Sequence, residues 1–166
     1  MTRFTACLLA ALLACAPHVH ADDDKDAPLR LEVGGGSEWS LDDHDHSIGP
    51  ALGVEFEGFK DLEIEAGTSA LRSHGRVEWD TDFSVKKEVV LSPTLEFEAG
   101  LGPEWNHSTG KNGSDSAGAE LEAELVYWTS ASHRFGWYLE PGYGYDFGKE
   151  REASLSLGLG LTVAVP

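Results

Sequence analysis

The sequence predicts an all-β fold: an eight-stranded antiparallel up-and-down transmembrane β-barrel. Three observations predict it. The chain begins with a short apolar segment of the secretory type, residues 4–15. After that segment, eight runs alternate apolar and polar residues with a period of two, which is the pattern of β-strands. No later apolar stretch approaches the length of a membrane-spanning helix, so any membrane crossing must be made by strands.

The first residues indicate export. The positive start at Arg3 precedes the apolar run, and Val19-His20-Ala21 fits the small-x-small pattern that a signal peptidase cuts. We expect residues 1–21 to be a signal peptide, residues 22–28 an acidic tail and residues 29–166 the barrel domain. A second cut stays open, because residues 12–15 resemble a lipobox that would leave Cys15 lipidated. Both cysteines lie in the signal, so the mature chain is expected to hold no disulfide.

The charge of the chain is strongly acidic. The formal net charge is −17 at pH 7, with 12 basic residues against 29 acidic ones. The signal peptide removes Arg3 and no acid, so the mature chain is more acidic still. Such a field repels phosphate backbones, and we therefore expect no nucleic acid among its partners.

The first four predicted strands span residues 29–39, 52–56, 62–70 and 77–85. In each run the polar face is rich in glutamate and aspartate, while the other face is apolar. The apolar members, run by run, are Leu29, Leu31, Val33 and Trp39; Leu52, Val54 and Phe56; Leu62, Ile64, Ala66 and Ala70; and Val77, Trp79, Phe83 and Val85.

The last four predicted strands span residues 91–105, 121–127, 135–147 and 155–165, and they alternate more regularly. Pro93, Pro103 and Pro141 lie inside these runs and lack an N–H for the ladder, which predicts bulges or weak pairing there. The apolar members are Leu91, Leu95, Phe97, Leu101 and Trp105; Leu121, Ala123, Leu125 and Tyr127; Phe135, Trp137, Leu139, Tyr143, Tyr145 and Phe147; and Leu155, Leu157, Leu159, Leu161, Val163 and Val165.

Alternation fits both a transmembrane barrel and a soluble β-protein, and three features favour the transmembrane barrel. The polar face carries many glycines, which a narrow barrel interior requires and a solvated face does not. The last run sets four leucines against only Ser, Gly and Thr. Aromatic residues form two groups near the ends of the runs, as an apolar band with two interfaces needs. The outer group is Trp39, Trp79, Trp105, Tyr143, Tyr145 and Phe147, and the inner group is Phe59, Phe83, Trp128, Phe135 and Trp137. The alternative is a soluble periplasmic β-barrel or sandwich that binds a small ligand in an apolar core.

Connection lengths also follow the membrane interpretation. Short inner turns are expected at residues 58–61, 86–88 and 129–133, and longer outer loops at residues 41–49 and 106–118. The signal, the eight alternating runs and the final LSLGLGLTVAV resemble the small outer-membrane barrels of the OmpA/OmpX type. The resemblance covers the whole mature chain as a pattern. It implies an outer-membrane location, with membrane lipid and the outer-membrane assembly machinery as partners.

An outward apolar face predicts an acidic lumen. Three basic residues share the inward parity, namely Arg30, Lys86 and Arg134, all expected near the periplasmic end. So many confined carboxylates require protons, cations or water. The expected inward carboxylates are Glu32, Glu55, Glu57, Glu63, Glu65, Glu78, Asp80, Asp82, Glu96, Glu98, Glu104, Glu122, Glu124, Glu140 and Asp146.

The outer rim suggests a divalent metal. Imidazole with carboxylate suits zinc, copper or nickel, and the sequence Asp42-Asp43-His44-Asp45-His46 packs both into five residues. In the barrel topology two further histidines come to the same end. The candidate ligands are Asp43, His44, Asp45, His46, His74 and His107. We expect divalent cations as ligands at this rim and no other cofactor.

Enzyme signals are weak, and we expect no catalytic activity. The candidate pairs are His107 with Ser108 and Ser132 with His133. Neighbouring residues on a strand point to opposite faces, so neither pair forms a ready nucleophile and base. The sequence therefore favours a structural or cation-attracting role.

Overall fold

The computed structural model describes residues 29–59, 62–109, 114–148 and 151–165. The predicted signal peptide and acidic tail lie outside the described residues. No helix among these ranges is long and apolar enough to cross a membrane. The eight strands are β1 (Leu29–Ser40), β2 (His46–Phe59), β3 (Leu62–Ser73), β4 (Arg76–Ser92), β5 (Leu95–Ser108), β6 (Asp115–Trp128), β7 (Phe135–Asp146) and β8 (Ala153–Val165).

Each strand pairs antiparallel with its neighbours in the sequence, and β1 pairs with β8 to close the barrel. The closing ladder runs from Leu29 opposite Val165 to Ser40 opposite Ser154 without a register shift. Closure leaves no strand edge exposed. The predicted fold class, an eight-stranded up-and-down β-barrel, is confirmed.

The sidedness of the barrel is inverted relative to a water-soluble protein. Leu52, Trp105 and Leu159 are 55–57% exposed, whereas Glu55 and Glu98 are fully buried. Buried apolar side chains among the described residues are confined to Leu71, Val126, Trp128 and Tyr138. The interior is therefore polar, and the apolar core that the soluble alternative needs is absent from the described strands.

One predicted turn is wrong. Lys86 to Glu88 do not form an inner turn, because β4 continues through them to Ser92. The chain reverses instead at Pro93 and Thr94, where the Thr94 N–H donates to Ser92 Oγ at 3.3 Å. The proline lacks an N–H and ends the pairing rather than interrupting it. A register shift between Val90 and Ser92 lies just before this turn.

Two predicted outer loops are shorter than expected. β2 already begins at His46, which pairs with Trp39, and the β5–β6 ladder extends to His107 opposite Asp115. Polar rim residues therefore continue the strands past the apolar band. The β3–β4 connection is a two-residue turn in which His74 and Gly75 both have positive φ, 47° and 82°. Such a turn matches the twist of the flanking strands.

Candidate functional site

The half of the lumen at the inner end, where Leu29 pairs with Val165, is organised around two buried cations. Arg30 on β1 is 1% exposed and reaches carboxylates on three other strands. Its Nη1 donates to Glu98 Oε1 at 3.0 Å, its Nε lies 3.2 Å from Glu55 Oε2, and it also contacts Glu63. One guanidinium thus ties together β2, β3 and β5 across the lumen.

Lys86 on β4 is the second buried cation, and it is fully enclosed. Its ammonium donates to Glu124 Oε2 at 2.5 Å, Glu140 Oε2 at 2.9 Å and Glu55 Oε1 at 3.1 Å. Glu65 contacts the same ammonium. Glu55 therefore bridges both cations, and the two clusters form one charged layer that fills the barrel.

Space for this layer comes from small neighbours. A Cβ built on Gly100 would lie 2.7 Å from Cγ of Lys86 and 2.8 Å from Oε1 of Glu122. Real Cβ atoms do not approach so closely, so the glycine is what allows the two long side chains to cross. The predicted role of glycine on the polar face is correct at this position.

Trp128 closes the inner end and corrects one sequence prediction. The sequence predicts it in the inner aromatic group facing lipid, but it is 2% exposed and points inward. Its Nε1 donates to Glu96 Oε2 at 2.7 Å, its ring stacks on His133 at 5.1 Å, and Arg30 lies 5.8 Å from the ring centroid. Its even parity, shared with Glu122 and Glu124 on the same strand, is the signal that identifies it as inward.

The other aromatic residues of the two predicted groups follow the prediction at most positions, judged by their exposure at each end of the barrel. Phe135 and Trp137 are exposed near the inner end, as the inner group requires, whereas the exposed Phe83 lies near the middle of β4, because that strand continues to Ser92. Trp39, Trp79, Trp105, Tyr143 and Phe147 are exposed at the outer end. The side chain of Phe59 lies outside the described residues.

Arg134 does not join the interior cations. It is exposed in the connection between β6 and β7, one residue before β7 begins at Phe135. The period-two parity of a strand does not extend into a turn, which is why the prediction failed. Among the described residues, the buried cations are Arg30 and Lys86 alone.

The half of the lumen at the outer end is open and acidic. A cavity of about 100 Å³ lies above the charged layer, lined by Glu32, Glu65, Asp82, Glu120 and Glu140 among others. A second cavity of about 260 Å³, which we call the vestibule, lies at the outer end. Glu38, Glu78, Glu104 and Asp146 face the vestibule, together with Arg76 and the rim residues Asp43, Asp45 and His46. Glu38 and Glu120 are interior acids that the expected set of lumen carboxylates lacked, although their parity is the same.

The six predicted rim ligands lie at the same end of the barrel, but they do not converge on a common site. His74 Nδ1 lies 3.2 Å from Asp45 Oδ1, and His107 pairs separately with Asp115 at 2.5 Å. The His46 ring stacks on Trp39 at 5.0 Å. His44 and Asp43 are exposed in the β1–β2 loop. No three of the six predicted ligands lie within 4.8 Å of one another, and their metal role stays a prediction.

Asp45 is the rim acid with the best-defined environment. The Ser73 hydroxyl donates to its Oδ1 at 2.8 Å, and the His46 backbone N–H donates to the same oxygen at 2.8 Å. These hydrogen bonds lower the pKa of Asp45, because they favour its ionised form. Asp45 therefore presents a carboxylate beside His74 throughout the physiological pH range.

Solved structures share this architecture. The crystal structure of Neisserial surface protein A (NspA) matches with a TM-score of 0.66 at 13% identity, covering 82% of this chain and 96% of that one. The outer membrane protein OprG from Pseudomonas aeruginosa matches with a TM-score of 0.62 at 9% identity, covering 84% and 96%. The N-terminal β-barrel domain of Pseudomonas aeruginosa OprF matches with a TM-score of 0.58 at 15% identity, covering 80% and 96%.

Sequence comparison adds nothing to this likeness. No family model matches the chain, and no curated protein matches its sequence. The identities to the solved structures are too low to carry function from them. What they share is the eight-stranded barrel, and this chain has the fold of the small outer-membrane β-barrels.

Proposed function

We propose that the protein is an outer-membrane barrel that is closed to solutes and that concentrates cations in an acidic, outward-opening interior. One observation carries the proposal: apolar side chains face outward on all eight strands while the carboxylates are buried inside. A lipid bilayer stabilises that arrangement and water does not. Nothing in the described residues favours the soluble periplasmic alternative.

The charged layer argues for a closed barrel. Side chains of Arg30, Lys86, Glu55, Glu98 and Glu124 are each at most 1% exposed, so they fill the cross-section rather than line a channel. Eight strands leave an interior only wide enough for side chains. The acidic cavities lie on the outer side of this layer, where cations from the medium reach them first.

Membrane location and closure are tested together on the exported protein. We expect the protein to stay in the pellet after extraction of membranes with alkaline carbonate. In a planar bilayer containing the purified barrel we expect no stepwise conductance. Release into the carbonate supernatant would contradict the membrane assignment, and large stable conductance steps would contradict the closed interior.

We also propose that Asp45 and His74 form a weak zinc-binding pair at the rim, with Asp43, His44, His46 and His107 as further candidate ligands. Only the first two are close enough to share an ion without movement of the chain. Support comes from the ionised state of Asp45 and from the acidic vestibule beside it.

The rim proposal predicts a pH-dependent zinc affinity. Imidazole must be neutral to bind metal, so zinc affinity should fall as the medium is acidified. Since hydrogen bonds lower the pKa of Asp45, its carboxylate stays ionised at mildly acidic pH and does not add to that loss. Calorimetric zinc titration of His74→Ala should show loss of binding, whereas His133→Ala, in the β6–β7 connection at the opposite end of the barrel, should bind like the parent. Equal binding by parent and His74→Ala would remove this pair from consideration.

A further inference from the structure

Glu32 is a buried acid whose Oε1 has no hydrogen-bond partner among the described residues. It projects from β1 into the cavity above the charged layer and is 3% exposed. Burying an ionised carboxylate without a partner is costly, so this side chain requires either a proton or a ligand that supplies the missing positive charge.

Glu65 and Glu32 face each other across Gly53. A Cβ built on Gly53 would lie 3.1 Å from Glu65 Oε1 and 3.5 Å from Glu32 Oε2. Glu65 uses its other oxygen, Oε2, for Lys86, so its Oε1 is directed away from that cation. One oxygen from each of Glu32, Glu55 and Glu65 lies within 4.8 Å of the others. These carboxylates converge as the ligands of a small cation do.

The charge around this point is far from balanced. Lys86 supplies one positive charge to Glu55, Glu65, Glu124 and Glu140 together, and Glu55 is also shared with Arg30. Glu32 then adds a further carboxylate to the same region. A second cation beside Lys86 is therefore favoured, because the surrounding negative charge exceeds what one ammonium neutralises.

The lining of the cavity selects the class of cation. It offers carboxylates, hydroxyls and the Tyr138 phenol, with no histidine or cysteine among its described residues. Oxygen-only ligands suit hard cations rather than zinc or copper. A volume of about 100 Å³ leaves room for several water molecules beside an ion. The irregular arrangement fits Ca²⁺, which accepts six to eight oxygens in flexible geometry, better than the strict octahedron of Mg²⁺.

We propose that this cavity binds a Ca²⁺ ion, with Glu32 and Glu65 as ligands and Asp82, Glu120 and Glu140 supplying the surrounding negative potential. The inference deepens the proposed cation-concentrating role and rests on it. It places the ion inside the barrel, at a site separate from the zinc pair at the rim.

Calorimetric titration with CaCl₂ of the mature protein folded in detergent tests the site. We expect saturable binding to the parent and at least about tenfold weaker affinity in Glu32→Gln, since the number of charged ligands sets Ca²⁺ affinity. Glu96→Gln is the matched control, because it removes the same charge from a buried interior acid that neither lines the cavity nor belongs to a group of converging carboxylates. It should bind as the parent does, and so should His74→Ala.

A melting experiment separates a ligand from a structural residue. Ca²⁺ should raise the Tm of the parent and leave that of Glu32→Gln nearly unchanged, because only a binding-competent folded state is stabilised by ligand. Without Ca²⁺, Glu32→Gln should be at least as stable as the parent. Absence of Ca²⁺ binding up to millimolar concentration, or equal affinities in the parent and Glu32→Gln, would overturn the site. Such a result would leave the membrane assignment intact, since carbonate extraction measures that separately.

Discussion

Leu159→Arg is expected to prevent insertion of the barrel into a bilayer. Leu159 is 57% exposed near the middle of β8 and faces outward. An arginine facing lipid near the midplane costs about 2–4 kcal/mol, which is a large part of the stability of a small barrel. Folding into lipid vesicles, followed by the mobility shift of the folded form on unheated gels, measures the loss.

The matched control for this substitution lies three residues away, on the other face. Ser156 points inward and its hydroxyl donates to Glu120 Oε1 at 2.6 Å. Ser156→Thr keeps that hydroxyl and adds one methyl group, so it should fold into vesicles at nearly the parent yield. If Leu159→Arg folded as well as Ser156→Thr, the outward face of β8 would not be in contact with lipid.

Lys86→Met is expected to destabilise the barrel by about 3–5 kcal/mol, because it leaves buried carboxylates without their shared cation. Those carboxylates come from four strands through Glu55, Glu65, Glu124 and Glu140. Urea unfolding of the protein in lipid vesicles gives the difference in free energy of unfolding.

The sign of the pH effect distinguishes charge from packing. Acid protonates carboxylates and removes the repulsion that the variant suffers, so the deficit of Lys86→Met should shrink as the pH falls. A deficit due only to lost packing would not change with pH. Lys87→Met is the control, because Lys87 is the next residue of β4 and faces away from the cluster. A loss of similar size in both variants would show that the buried ammonium has no special role.

Most of the barrel was predictable because the alternation of side chains along a strand depends only on neighbouring residues. A period of two assigns each residue to a face, and Glu122, Glu124 and Leu125 are placed correctly on that rule alone. The rule breaks down where a strand ends, because parity has no meaning in a turn. Arg134 and the supposed turn at residues 86–88 failed for this reason.

The interior network was harder to predict. Parity places Arg30 and Lys86 inside, but which carboxylate meets which cation depends on shear and strand tilt, properties of the closed barrel. Glu55 lies between both cations, although it is separated by 25 residues from one and by 31 from the other. The histidines of the outer rim lie at one end of the barrel, as predicted. Among them His74 approaches Asp45, because the position of each side chain around the rim also depends on how the barrel closes.

The ladder between β1 and β8 has a consequence for how the chain becomes a barrel. Leu29 and Val165 pair directly, so this ladder encloses nearly the whole chain as a single loop. Loop-closure entropy makes it about 3 kcal/mol more costly to close than a four-residue hairpin. Until it forms, seven hairpin ladders can exist with two unpaired edges, each a template for pairing with another molecule. The β1–β8 pairing, the most costly to form, is thus the one that removes the exposed edges. A chaperone that covers both edges would act before that step.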